Sequence, residues 1–425
     1  MLDIRWIAQN RDRVQEGARL KRFDVDVDRL LSAYDRWRVL QREIQDIAAE
    51  KNRVSREIPT LPPDERQRQV ARMREITARD RELRVENDAV EAEWRSLLLL
   101  VPMPPAADVP EGKDDTENVE LRRWGTIREF GFTPRSHQEL AESLDIVDKE
   151  RAARIAGSRT YFLKGDGVLL EQAVIRFALD FLTYERGYLP MSPPVLVRDS
   201  AMEGTGYFPG GEDQAYRIPE DGLNLIGTSE VPVSAYHGDE ILREADLPLR
   251  YAGISPCFRR EAGAAGKDTA GLYRVHQFQK VEQVVVCRGE EEESIRHHQE
   301  ILGNAEAIMQ ALDLPYRVVN VCTGDLGRGQ VQKFDIEAWM PSRDGWGETH
   351  SASRFHDFQA RRLGLRYRDS AGEVRYCHTL NNTAIATPRV LIPILELYQN
   401  EDGSVTIPEP LRPYMRGRDR IVPRT

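Results

Sequence analysis

Between positions 28 and 58 apolar residues return every three or four places: Leu30, Tyr34, Trp37, Ile44, Ile47, Val54 and Ile58. Lys51 interrupts the series, and no glycine or proline lies within it. That period gathers them on one stripe of an amphipathic helix of coiled-coil type. Pro59, Pro62 and Pro63 then stop the helix. Asp64 and Glu65 suit the positive end of a second helix, which carries Val70, Met73, Ile76, Leu83, Asn87, Val90, Trp94 and Leu97 at the same period. Two long helices joined by a short turn must lie antiparallel. At about 1.5 Å per residue each arm reaches roughly 45 Å. The spacing therefore predicts a helical hairpin over about 28–100, within an N-terminal domain 1–104.

The pattern changes at Pro102. Residues 102–125 (PMPPAADVPEGKDDTENVELRRWG) have little periodicity and read as a linker. Beyond them strand-like runs alternate with helical ones: 282–288 (EQVVVCR) as a strand, 293–312 as a helix, 316–322 as a strand. Helical crossovers at regular spacing are missing. The expected class is α+β, with an antiparallel sheet flanked by helices. No internal repeat is visible.

Charge alters this picture at one place. Of 425 residues 31% are charged, with a formal net charge of -10. An acidic chain that binds nucleic acid must do so through a local basic patch. Around the expected turn stand Lys51, Arg53, Arg56, Arg66, Arg68, Arg72 and Arg74, against Glu57, Asp64 and Glu65. A solvated helical face accounts for such a run; so does a phosphate-contacting tip, which arginine at the end of a lever favours. The four cysteines, Cys257, Cys287, Cys322 and Cys377, form no CxxC pair. No zinc site is expected, and a reducing compartment fits. The longest apolar run, Leu97 to Val101, is too short to span a bilayer. The charged start, MLDIRWIAQNRDR, has no apolar signal core. The expectation is a cytoplasmic protein without membrane attachment.

The stretch richest in chemistry is 257–288, CFRREAGAAGKDTAGLYRVHQFQKVEQVVVCR, read as strand, glycine-rich loop, strand. Alternation puts Arg259 and Glu261 on one face, and Arg274, His276, Phe278, Lys280 and Glu282 on one face of the second strand. Guanidinium groups, a ring and carboxylates together suit a nucleotide: cation against phosphate, ring against base. Alternation alone allows a solvated hairpin with cross-strand ion pairs equally well.

A resemblance decides between them. Phe258-Arg259-Arg260-Glu261, a loop, and Arg274-x-x-x-Phe278 resemble motif 2 of the class II aminoacyl-tRNA synthetases, and RVHQFQKVE is similar to the form found in the seryl-tRNA synthetase family. GSRTYFLKGDG, GTSEVP, DFQARR and LNNTAIATPR resemble that family in its own order, and the hairpin resembles its tRNA-binding arm. The resemblance covers essentially the whole chain and makes 105–425 the catalytic domain. It implies ATP-dependent attachment of L-serine to tRNA(Ser) through a seryl-adenylate, extending to tRNA(Sec) in a host that makes selenocysteine.

Position by position, the resemblance implies that Arg259 holds the α-phosphate, that Glu261 accepts from the adenine amino group, and that Phe278 stacks on the base. Arg274 lies near the terminal phosphates and Arg389, from motif 3, clamps the γ-phosphate. Arg260, Val275, Thr349 and His350 join the nucleotide set. Glu348 and Ser351, in ETHS, become Mg2+ ligands. Thr228-Ser229-Glu230 is similar to the family's serine-binding T-x-E, which Glu282 and Thr383 complete. Lys267 and Asp268, in the motif 2 loop, are candidate contacts for the tRNA acceptor end, although any exposed loop can carry such residues. The segment from Gly187-Tyr188 to Pro194 resembles motif 1 and implies a homodimer. One departure stands out: Asn381 to Pro388 lacks the glycines that motif 3 usually carries before its arginine. Two other readings fit less of the chain. A relative that loads carrier proteins would lack the arm, and a non-catalytic paralogue would have lost residues such as Arg259 or Arg389.

Overall fold

The computed structural model describes residues 1–263 and 271–423. They divide into two compact units, Met1–Pro104 and Pro105–Thr425.

In the first unit two short helices, Ile4–Gln9 and Arg11–Leu20, precede α1 (Val27–Glu57) and α2 (Pro63–Leu100). Asp26 caps α1 by accepting from the Arg29 N–H. The seam buries Leu40 and Ile44 against Leu83, with Ile47 and Val90 alongside. Tyr34, Trp37 and Trp94 close it with ring centroids 5.4–5.7 Å apart. Leu40 belongs to the stripe although the spacing argument passed over it, whereas Val70 stays 37% exposed outside it. The break at Lys51 has a physical reason. Its Nζ lies 3.0 Å from Oδ2 of Asp80, a buried carboxylate on the facing helix. Gln41 likewise donates to Asn87 Oδ1 at 2.8 Å. Polar pairs inside an apolar seam fix its register, because a slip strands both partners. At the turn, Arg72 pairs with Glu50, and Arg66 donates to the Pro59 and Leu61 carbonyls. Arg53, Arg56, Arg68 and Arg74 are exposed there.

The second unit is built on an eight-stranded sheet among the described residues. Its strands are β1 (Val119–Trp124), β2 (Leu189–Met191), β3 (Leu249–Phe258), β4 (Gln277–Cys287), β5 (Tyr316–Asn320), β6 (Gln332–Met340), β7 (Gly345–Arg354) and β8 (His378–Thr387). The order is β1-β5-β6-β7-β8-β4-β3-β2, antiparallel except where β2 joins β3. After α3 (His137–Ser143) come α4 (Asp166–Asp180), α5 (Glu291–Ala311) and α6 (Leu391–Leu397), and one face of the sheet packs on these last three. Val281, Val285, Ile301, Ala305, Ile336, Leu380 and Ile394 share that core. Three glutamates open α5, where acidic side chains complement the helix dipole.

The stretch read as a linker ends in a strand. β1 pairs with β5 along its length, yet its first five residues are exposed, so no buried face marks it in the sequence. Ion pairs of Arg122 with Glu306 and Arg123 with Glu120 supplement the ladder.

Candidate active site

The sheet face away from the helices carries a cleft of two lobes that share a wall of Tyr207, Arg259, Glu261, Tyr273, Lys333, Glu348 and Arg389. The inner lobe encloses about 250 Å³ and the outer about 640 Å³.

Strand parity explains much of the lining. On β4 the even positions Phe278, Lys280 and Glu282 face the inner lobe, and the odd ones Val281 and Val285 enter the core. Two bulges then change parity where the site needs it. On β8, Val281 pairs with Ile385 but Glu282 pairs with Thr383, so Ala384 is extra. Asn381 and Thr383 before the bulge and Ala386 after it all reach the cleft. On β7, Ile336 pairs with His350 but Glu337 pairs with Glu348, so Thr349 is extra. Glu348 and Ser351, three apart, consequently line the same lobe. His350 serves the bulges instead of the cleft. Its ring is buried, with Nδ1 2.8 Å from Thr349 Oγ1 and Nε2 donating to the carbonyl of the extra Ala384 at 3.1 Å. Burial pushes this imidazole down to about 4, so it stays neutral near pH 7.

The deep end of the inner lobe is acidic. Glu230, at the start of the helix Glu230–Ser234, is 6% exposed. It accepts from Tyr207 Oη at 3.1 Å and from Gln359 Nε2 at 2.8 Å. Burial first, and the nearby Glu282 second, push its carboxyl up to about 7. Glu282 accepts from Thr383 Oγ1 at 3.3 Å and lies 2.5 Å from Lys280 Nζ, which also donates to Thr228 Oγ1 at 2.6 Å. Thr228 thus anchors the lysine from beside the lobe. Ser229 is buried with its hydroxyl on the Gly253 carbonyl, outside the lining.

The basic wall follows the ends of β3 and β4. Arg259 donates through Nε to the Gly227 carbonyl at 3.3 Å, and its guanidinium carbon is 5.2 Å from the Phe278 ring centroid. Arg274 pairs with Glu261 at 3.3 Å. Alternation does not extend this far, because β3 ends at Phe258 and β4 begins at Gln277. Glu261 has a φ of 51°, and Val275 joins the lining although parity assigns it to the opposite face. His276 turns back to donate through Nδ1 to the Arg259 carbonyl, 2.9 Å away. Arg260, whose N–H meets the Gln214 carbonyl at 3.0 Å, lines neither lobe. Arg389 donates to the carbonyls of Tyr273 (3.3 Å) and Glu348 (3.0 Å), with its guanidinium carbon 4.3 Å from the Tyr273 centroid. Desolvation by the cleft walls works against an ionised Glu348, although its side chain is 47% exposed, but Arg389, then Lys333, Arg259 and Arg274, draw it below its ordinary value. Lys267 and Asp268 lie outside the described residues.

Sequence reasoning missed Tyr207, Gln359, Lys333, Asp335, Tyr273 and Arg343 as cleft or supporting residues. Tyr273 and Gln359 sit inside quoted motifs, in 257–288 and DFQARR, but carry no charge to single them out, whereas Tyr207, Lys333, Asp335 and Arg343 come from segments outside those motifs. Among the described residues no three His, Cys, Asp or Glu side chains come together to hold a metal by themselves. Mg2+ asks for less, because it keeps waters and leans on substrate phosphates with one or two carboxylates. Glu348 offers one beside the cleft arginines, and Asp335, opposite Ser351 in the ladder, leaves its buried Oδ1 without a hydrogen-bond partner. The donor set therefore fits Mg2+. No helix is long and apolar enough to cross a membrane among the described residues.

Known proteins match this architecture throughout. Residues 1–105 match the family model "Seryl-tRNA synthetase N-terminal domain", and residues 216–398 match "tRNA synthetase class II core domain (G, H, P, S and T)". The serine–tRNA ligase of Deinococcus radiodurans is 46% identical, with 99% of this chain and 98% of that protein aligned. That of Rubrobacter xylanophilus is 45% identical over 100% and 99%. The crystal structure of seryl-tRNA synthetase from Pyrococcus horikoshii complexed with ATP superposes with a TM-score of 0.91 at 41% identity, covering 100% of both chains. The cytoplasmic serine–tRNA ligase of Naegleria fowleri in complex with AMP gives 0.86 at 33%, covering 100% and 99%. A helical hairpin, an antiparallel core and a cleft with motif residues on its walls agree with these full-length likenesses: the chain belongs to the seryl-tRNA synthetase family.

Proposed function

We propose that the cleft activates serine with ATP as seryl-adenylate and passes the seryl group to tRNA(Ser), and to tRNA(Sec) where the host makes it. One observation carries this reading: an acidic pocket of small volume opens directly onto a wall of arginines. The inner lobe suits an amino acid with a short polar side chain. Glu230 receives the ammonium group. The Thr383 hydrogen is committed to Glu282, so its oxygen is left to accept from the serine hydroxyl. Alanine would strand that acceptor and be rejected.

In the first step the serine carboxylate attacks the α-phosphorus in line. The bond to the β-phosphate bridging oxygen breaks, and pyrophosphate leaves. Arg259, fixed between the Gly227 carbonyl and the Phe278 ring, faces the α-phosphate, while Phe278 stacks on adenine and Glu261 accepts from its amino group. Arg274 and Arg389 bear on the leaving phosphates. Mg2+, bound through Glu348 and Ser351, would neutralise phosphate charge. In the second step the 3′-hydroxyl of the terminal adenosine attacks the seryl carbonyl and AMP departs. No protein nucleophile is needed; the residues position and neutralise. Arg259→Ala should abolish serine-dependent ATP–pyrophosphate exchange while leaving the circular dichroism spectrum unchanged. Unchanged exchange refutes the assignment.

The N-terminal domain, 1–104, is proposed to grip the RNA through Arg53, Arg56, Arg68 and Arg74 at the hairpin tip. The catalytic domain, 105–425, is proposed to form a homodimer through the motif 1 segment. In support, Leu189 on the edge strand β2 is 59% exposed, and Leu196 and Tyr184 nearby are exposed too. Apolar residues on a sheet edge are a liability unless covered. Sedimentation at micromolar concentration should give twice the chain mass; a monomer refutes that part.

A further inference from the structure

Glu396 is fully buried in α6, seven residues after Arg389. Its carboxylate accepts from four donors. The His137 backbone N–H is at 3.0 Å, His137 Nδ1 at 2.7 Å, the Ser342 N–H at 2.8 Å and the Ser342 hydroxyl at 2.6 Å. His137 opens α3 and lines neither lobe of the cleft. Its second ring nitrogen, Nε2, receives the Leu272 N–H at 3.3 Å. An amide can only donate, so Nε2 must be the bare nitrogen and Nδ1 must carry the proton given to Glu396. The chain passes so near the ring that a Cβ on Gly271, where φ is 77°, would sit 2.2 Å from Nε2.

Each segment tied by this pair reaches the outer lobe. Leu272 leads to Tyr273, whose hydroxyl donates to the Glu348 carbonyl at 3.3 Å and whose ring and carbonyl both meet Arg389. Ser342 leads to Arg343, whose guanidinium carbon lies 4.4 Å from the same ring centroid. α6 itself follows Arg389. Two cations against one ring need a fixed backbone beneath them, because their mutual repulsion favours splaying. The deep acidic pocket has other supports: Glu230 is held by Tyr207 and Gln359, and Glu282 by Lys280 and Thr383.

We infer that the His137–Glu396 pair is a strut that holds Tyr273, Arg343 and Arg389 in register for the phosphate end of ATP, with His137 a positioning residue for the nucleotide and not for serine. This rests on the reading of the cleft given above. Two variants of the full chain separate the links. His137→Asn keeps an amide donor near Nδ1 for Glu396 and removes the acceptor for Leu272. His137→Gln can place its carbonyl near Nε2 and restore that acceptor. In ATP–pyrophosphate exchange, His137→Asn should raise the KM for ATP by roughly tenfold, the effect of one lost positioning bond, and leave the KM for serine within about twofold. His137→Gln should recover most of the ATP affinity. Equal ATP KM values for His137→Asn and the parent overturn the strut, as does a parallel rise for serine or a Gln variant no better than Asn. If His137→Asn loses its thermal transition, Gly271→Ala presses on the ring from the loop side without touching Glu396. It must show the same ATP-selective defect, and a parental ATP KM there overturns the strut. Arg259→Ala is the control. If it keeps exchange, the ATP reading itself falls; if it loses exchange while His137→Asn binds ATP normally, the strut alone falls.

Discussion

Glu230→Gln should stabilise the protein at pH 8 while destroying its use of serine. The buried carboxyl titrates near 7 instead of 4.5, because burial and then Glu282 disfavour its ionised form. A folded state that holds the proton more tightly than the unfolded chain loses stability as pH rises from about 4.5 through 7. The loss is complete above that range and amounts to about 3 kcal/mol for an upward shift of this size. Glutamine is nearly the same shape and carries no charge. Gln359 can still donate to its oxygen, and the Tyr207 hydroxyl can turn to accept from its amide. Allowing about 1 kcal/mol for weaker hydrogen bonds, the variant should gain on the order of 2 kcal/mol at pH 8 and almost nothing at pH 5, where the parent is already neutral. Thermal midpoints at the two pH values read this directly. At pH 8 the KM for serine should rise by at least roughly a hundredfold, since the ammonium loses its charged partner. The parent's serine KM should fall as pH rises through about 7, and that dependence should vanish in the variant. A variant less stable at pH 8 than at pH 5 relative to the parent, or one with a normal serine KM, refutes the argument.

Thr383→Val keeps the shape and removes the acceptor for the substrate hydroxyl. It should lower kcat/KM for serine by roughly ten- to a hundredfold and reduce discrimination against alanine, measured by exchange with each amino acid. Lys51→Ala leaves Asp80 buried without its nearest cation; proteolysis within 27–100 should accelerate while pyrophosphate exchange stays normal. Neutralising Arg53, Arg56, Arg68 and Arg74 together should weaken tRNA binding and flatten its dependence on salt, with adenylate formation unchanged. Filter binding at several salt concentrations checks this, and an unchanged slope contradicts the proposed grip.

The hairpin was legible because a seam between two helices has one period and needs no partner elsewhere in the chain. Even its flaw was legible as a flaw: Lys51 showed as a break, although only the facing helix supplies Asp80 as the reason. β1 was not legible, since an edge strand with both faces wet leaves no alternation. In the cleft, Phe278, Lys280 and Glu282 follow from parity, whereas Glu348 with Ser351, and Thr383 with Ala386, share a lobe through bulges that alternation cannot anticipate. His350 sat inside a motif and serves the bulges. His137 sat outside every motif, beneath an ordinary capping box of Ser136 and Glu139, and reaches the site through a backbone amide. Its contribution depends on tertiary contacts more than a hundred residues apart in the chain.

Every role assigned to the cleft requires that it join ATP to serine. ATP–pyrophosphate exchange with each of the twenty amino acids in turn, without tRNA, tests it most directly. Strong exchange is expected with serine, and little with alanine, threonine or cysteine. Exchange driven by a different amino acid, or none with any of them, would contradict it.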